Sequence, residues 1–266
     1  MDLELTGKVA IVTGGSRGIG KAIAQAIARE GADIAIIARD LAAAKATAEE
    51  IARATKRKLV AYAADTGDDA AVKGAVTQIA ADFGRIDILV NAAAQPGGQK
   101  RPPALAEITN DHFWTDMNVK VMGYLRCARE VAPYMTRRHW GRIVNISGLA
   151  ARQTGSTIGT IRNVSVAALT KNLADELGPQ GINVTCVHPG MTRTEKTPGV
   201  IQRQAEAAGI TPDEMERRLA AHNLIRRMVT AGEVADVVAF LASPKSIAIN
   251  GDAIAAGGGT PGAIYY

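Results

Sequence analysis

Residues 13 to 20 read TGGSRGIG and directly follow the apolar run KVAIVT. Gly14 permits a tight turn, Gly18 lets backbone amides approach a phosphate, and Gly20 leaves room for a helix to pack closely. The N-terminus of that helix adds a positive pole, so the arrangement suits a pyrophosphate, with Ser16, Arg17 and Ile19 lining the loop. A second chemical position is the end of the next apolar run, DIAII, where an acid would bind the ribose hydroxyls of NAD(H). Here the chain reads Ala38 then Arg39, and with Arg17 two guanidinium groups converge to suit the extra phosphate of NADP(H). NADP(H) is the expected cofactor; Asp40, one residue past the usual acid position, keeps NAD(H) possible. The third position is the stretch GSTIGTIRNVSVAALTK, residues 155 to 171, which reads as a helix beginning near an active site. It contains no Tyr, His, Asp, Glu or Cys, and its one Lys closes it.

Short β-branched runs alternate with Ala-rich segments of helical period. KVAIVT is followed by a helix at 18 to 30, DIAII by 41 to 55, KLVAYA by 68 to 83 and IDILVN by roughly 110 to 137. GRIVNI then precedes 156 to 178, and INVTCV precedes a last helix at about 232 to 242 and the run GDAIAA. Strands apolar throughout must be covered on both faces, which predicts an α/β single-domain Rossmann fold over residues 1 to 266, a doubly wound parallel sheet with helices on both faces. The polar segment from 190 to about 227 breaks the rhythm. It reads as two short helices, the second capped by Thr211 ahead of Pro212, and is expected to form a lid over the substrate.

The bulk composition is globular, with 47% hydrophobic and 21% charged residues. A formal net charge of +5 raises the question of nucleic acid, but the basic residues are scattered and the densest cluster, RRHWGR at 137 to 142, sits where cations favour a helix end. No nucleic-acid partner is expected. The two cysteines, Cys127 and Cys186, lack CxxC spacing and read as buried thiols, with no metal site. Without a long apolar run or the basic and apolar regions of a signal peptide, the reading is no membrane partner and a cytoplasmic location.

TGGSRGIG, NAAA at 91 to 94, Asn118 in MNVKVMGY, GRIVNIS at 141 to 147, HPGMTRT at 188 to 194 and the ending NGDAIAAGGG together resemble the short-chain dehydrogenase/reductase superfamily. The resemblance covers nearly the whole chain. It implies an NAD(P)-dependent oxidoreductase in which Asp65 and Thr66 face the adenine and Asn91 supports the fourth strand beside the cofactor. Pro189, Gly190, Thr192 and Thr194 would hold the nicotinamide. It also implies a homodimer or homotetramer and a small-molecule substrate.

The family's chemistry uses a Ser, a Tyr and a Lys four residues later, and the resemblance sets Gly148, Gly159 and Asn163 in those positions. Asn118, the fourth member of the tetrad, is retained, with its carbonyl left to serve helix geometry and a water. No tyrosine falls between residues 135 and 264; Ser147 should point to the opposite face of its strand, and Lys171 lies two turns beyond Asn163. Arg162 cannot serve as an ordinary acid, and His188 reads as a core histidine. Gly159 should leave an open volume where a phenol would stand. An enzyme so altered would favour an acceptor that is already activated, such as a quinone or iminium. A cofactor-binding homologue without turnover is the alternative. The terminal TPGAIYY, ending in Tyr265 and Tyr266, is a further segment expected to fold over a site.

Overall fold

The β-branched runs form β1 (Val9–Thr13), β2 (Asp33–Ala38), β3 (Leu59–Ala63), β4 (Ile88–Asn91), β5 (Gly141–Ile146) and β6 (Ile182–Pro189). Two-residue strands β7 (Thr192–Arg193) and β8 (Val229–Thr230) pair apart from the main sheet, which β9 (Ala253–Ala256) completes. The computed structural model describes residues 1–95 and 101–264. The main sheet is seven-stranded and parallel, in the order β3-β2-β1-β4-β5-β6-β9. Every residue of β1, β4, β5 and β6 is buried, as strands covered on both faces require.

Helices α1 (Gly18–Arg29), α2 (Leu41–Thr55) and α9 (Ala231–Leu241) cover one face through Ile23, Ile27, Ile51 and Val234. Helix α3 (Asp69–Phe83), with α5 (Gly123–Thr136) and α6 (Thr157–Leu177), covers the other through Val76, Val131 and Leu177. This is the expected Rossmann architecture. The chain runs outward from β1 to β3 and crosses back to β4, so the carboxyl ends of β1 and β4 flank a crevice of the kind that binds ligands in open α/β sheets.

The segment read as one helix over 110 to 137 is interrupted. Helix α4 (Asn110–Met117) passes into a π turn at Asn118–Met122 before α5 begins. The Gly123 N–H bonds to the Asn118 carbonyl five residues back, and that oxygen also accepts from Arg126 Nη1 at 3.1 Å. Gly123 packs closely here: a Cβ would stand 3.0 Å from Thr66, tighter than most real contacts. The two helices expected between 190 and 227 are α7 (Thr197–Ala208) and α8 (Pro212–Ala220). Thr211 caps α8 by accepting from Glu214 N at 3.2 Å.

Candidate functional site

A cleft of about 1270 Å³ runs along the carboxyl ends of the strands, larger than the ~300–1,000 Å³ usual for small-molecule sites. Its floor is the glycine loop. Gly14 has φ +67° and a Cβ there would meet Ala93 Cα at 2.9 Å. A Cβ on Gly20 would stand 2.3 Å from the Gly14 carbonyl, so only glycine lets α1 start against the loop. Thr13 Oγ1 accepts from the Ala92 and Ala93 amides at 3.1 and 3.2 Å and ties the β4 exit to this turn. Gly18, at φ +56°, meets no atom nearer than 3.8 Å on its Cβ side. Its N–H donates to both carboxylate oxygens of Glu195, at 3.1 and 3.2 Å. A carboxylate of the chain itself thus sits on the α1 N-terminus, where the helix's positive pole favours it. Ser16, Arg17 and Ile19 line the same end.

Arg17 and Arg39 stand exposed at the rim, and neither makes an ion pair among the described residues. Asp40 is engaged otherwise: its carboxylate accepts from Ala43 N at 3.0 Å as the N-cap of α2. Asp65 and Thr66 also line the cleft, Asp65 through an Oδ1 that accepts from Gly67 N at 2.8 Å. Asn91 does not line it. Its Nδ2 donates to Asn145 Oδ1 at 2.9 Å and locks β4 to β5, a supporting position. At the opposite side Pro189, Gly190, Thr192 and Thr194 line the cleft, followed by Thr197, Ile201 and Gln204 of α7. Thr192 Oγ1 donates to the Gly190 carbonyl at 3.0 Å, and the Thr194 N–H donates to Thr197 Oγ1 at 2.8 Å, so the loop is fixed to the first turn of α7. Thr260 and Pro261 border the cleft, whereas Tyr265 and Tyr266 lie outside the described residues.

The inner end brings several of the positions singled out in the sequence close together. The Asn118 carbonyl serves the helix turn, as described above, and its Nδ2 donates to the Gly67 carbonyl at 3.1 Å and secures the β3–α3 corner. Ser147 lines the cleft, and its amide continues the β5–β6 ladder by donating to the Val187 carbonyl at 2.8 Å. Its Oγ donates to the Asn163 carbonyl at 2.9 Å. Gly159 is buried, and a Cβ there would stand 2.7 Å from the hydroxyl of Ser156, the N-cap of α6. Gly148 and Asn163 do come together, the Gly148 Cβ position lying 3.4 Å from Asn163 Nδ2.

The residue that sequence reasoning missed is Lys120. The π turn carries it inward until its ammonium donates to the Ser147 carbonyl at 2.9 Å and to Asn163 Oδ1 at 3.0 Å. It is only 4% exposed, and it borders the cleft. Burial, with the nearby Arg162 guanidinium adding to it, brings its pKa down from 10.5 to about 7. A signal was present in the sequence: Lys120 shares an i, i+4, i+7, i+11 stripe with the core residues Tyr124, Cys127 and Val131. Arg162 is held by Asp116, its Nη1 donating to both carboxylate oxygens at 2.7 and 2.8 Å. His188 is buried and its pKa is pushed down to about 4 by desolvation, which matches a neutral core histidine. Lys171 pairs with Asp175 on the surface.

A family model described as enoyl-(acyl carrier protein) reductase matches residues 14–260. The short-chain reductase protein NovJ of Streptomyces niveus is 35% identical over 258 residues, covering 95% of this chain and 94% of that protein. The chain belongs to the short-chain dehydrogenase/reductase superfamily. As a member of that superfamily it is an NAD(P)-dependent oxidoreductase. Similar members include the NADPH-dependent reductase BacG of Bacillus subtilis, 28% identical over 95% of this chain and 97% of that one. The L-sorbose reductase of Gluconobacter frateurii, solved with NADPH and L-sorbose, superimposes with a TM-score of 0.93 at 27% identity. That match covers 99% of this chain and 100% of the other.

Proposed function

We propose that the protein is an NADPH-dependent reductase of a small-molecule acceptor enclosed beneath the α7–α8 lid, with Gly148, Gly159 and Asn163 standing where the superfamily carries Ser, Tyr and Lys. The observation that carries the cofactor choice is the pair of exposed guanidinium groups, Arg17 and Arg39, beside a helix N-terminus that already accepts a carboxylate. Support comes also from Asp40, whose carboxylate is committed to capping α2, and from the NADPH named for BacG and for the sorbose reductase.

In this reading Gly14, Ser16, Arg17, Gly18, Ile19 and Gly20 hold the pyrophosphate, Arg39 the adenosine phosphate, and Asp65 with Thr66 the adenine. Pro189, Gly190, Thr192 and Thr194 position the nicotinamide. When bound, NADPH supplies the hydride. The lid residues exclude water above it, which strengthens every polar contact inside. Isothermal titration of wild type and Arg39→Asp against NADPH and NADH tests the reading. Wild type should prefer NADPH by roughly 10–100-fold, the worth of one or two charge-assisted hydrogen bonds. The variant should lose that preference. Equal wild-type affinity for the two cofactors would overturn the assignment.

A further inference from the structure

A reductase that reduces a carbonyl group needs an acid at the oxygen, and the inner end of the cleft offers few. Tyr124 borders it, but its hydroxyl donates to the Ile146 carbonyl at 2.9 Å, and full burial raises its pKa well above 10, which makes it a poor acid. The Arg162 guanidinium is spent on Asp116 and does not release protons near neutral pH. His222 is exposed on the lid side, with Nδ1 2.9 Å from the Arg218 carbonyl. Asp40 and Asp65 lie at the adenosine end. Lys120 remains. Its ammonium is held by two neutral carbonyl oxygens and no carboxylate, so its charge is not neutralised. Three N–H bonds less those two contacts leave one donor without a protein acceptor among the described residues, on a side chain that borders the cleft beside Gly148.

We infer that Lys120 is the proton donor of this site, giving its third proton to the oxygen of a carbonyl substrate while the carbonyl carbon takes hydride. The inference rests on the reductase reading above. The C=O π pair moves onto oxygen, an N–H bond of the ammonium breaks, and an O–H bond forms. The electron pair of the new C–H bond comes from the nicotinamide cofactor, and the neutral amine regains a proton from water. Covalent use of the amine would not be catalytic, because hydride addition to an imine on Lys120 would leave a secondary amine fixed to the chain. Asn163 and the Ser147 carbonyl aim the ammonium, and the groups facing it tune it. Arg162 on α6 opposes the charge, whereas Asp116 on α4 favours it; Cys186, whose burial lifts its thiol to about 11, and His188, both on β6, are neutral. With a pKa near 7 the group is poised to give and regain a proton at neutral pH. An unactivated ketone therefore comes within reach, in contrast to the expectation drawn from positions 148, 159 and 163 alone.

Two measurements test this. In cofactor-free protein labelled with ¹⁵N-lysine, the Nζ resonance that disappears in Lys120→Met should titrate near neutral pH. A resonance titrating with the surface lysines would overturn the proposal, and this readout needs no turnover. In the second, ethyl acetoacetate and phenanthrenequinone serve as NADPH-dependent probes; the reduced quinone oxygen is a weak base and needs no strong acid. Lys120→Met should lower the ketone rate relative to the quinone rate by ~10²–10⁴-fold. The wild-type ketone rate should fall as pH rises through about 7, where the ammonium is lost. An unchanged ratio, or a loss reproduced by Tyr124→Phe instead, would overturn the role of Lys120 while leaving the reductase reading intact. Failure of both probes in wild type, with Nζ still titrating near neutral pH, would count against the reductase reading and with it the donor role.

Discussion

Replacing Asn163 by Asp places a carboxylate oxygen where the amide oxygen now accepts from Lys120 Nζ at 3.0 Å. The two side chains are nearly isosteric, so the perturbation is one of charge. At that separation the Coulomb attraction is ~5.5 kcal/mol for an effective dielectric of about 20, equivalent to ~4 pKa units. Desolvating the new carboxylate takes part of this back, and adjacent opposite charges shift a pKa by roughly 1–3 units in practice. The neighbouring Arg162, which opposes the lysine's charge, keeps the new acid ionised. Lys120, held at about 7 in the wild type, should therefore titrate between roughly 8 and 10 in the variant. Because the protonated form is the donor, ketone reduction should persist to higher pH by the same interval. Nζ titration and the pH profile, recorded on one preparation, measure the shift independently. A descending limb still near pH 7 in Asn163→Asp would refute the assignment of that limb to Lys120.

Other expectations follow from the same contacts. Glu195→Gln removes the carboxylate that sits on the Gly18 amide, so NADPH affinity should rise about 2–5-fold by calorimetry, the worth of an anion at an exposed helix N-terminus; an unchanged Kd would show that Glu195 does not compete. Between pH 7 and 10.5 the unfolded chain carries a proton on Lys120 that the folded protein has released, so this residue makes stability rise with pH in that window. Urea unfolding should show Lys120→Met gaining most over wild type below pH 7, with the gap closing by up to ~1.4 kcal/mol per pH unit above it, and a constant gap would contradict the burial argument. Trp114, Met122, Ile161 and Val164 leave apolar surface exposed across α4, the π turn and α6. Light scattering should accordingly report a homodimer or tetramer that Val164→Glu weakens, and a wild-type monomer at micromolar concentration would dispose of the assembly.

The sheet was legible because its strands are apolar throughout and its helices keep a 3.6-residue period, signals that local sequence carries. The caps at Thr211 and the glycine loop were legible for the same reason: their residue types are demanded by local geometry. The inner end of the cleft was not. A π turn adds a residue to one turn of helix, and it forms where Arg126 reaches the Thr66 and Asn118 carbonyls from sequence-distant positions. That turn holds Asn118 at the β3–α3 corner and Lys120 against Asn163; the burial of Lys120 is legible in its spacing with Tyr124, Cys127 and Val131, but its partners are not. Arg39 and Arg17, by contrast, needed only the ends of two strands to be placed, and they stand on the rim of one cleft.

Hydride transfer itself is most directly tested by a single-turnover experiment, with enzyme in excess over NADPH, ethyl acetoacetate added at about pH 6, and the absorbance of the reduced nicotinamide followed in time. The account predicts complete loss of that band, with one alcohol formed per cofactor consumed. A band that persists while calorimetry shows NADPH bound would contradict it and mark the protein as a cofactor-binding member of its superfamily without reductase activity.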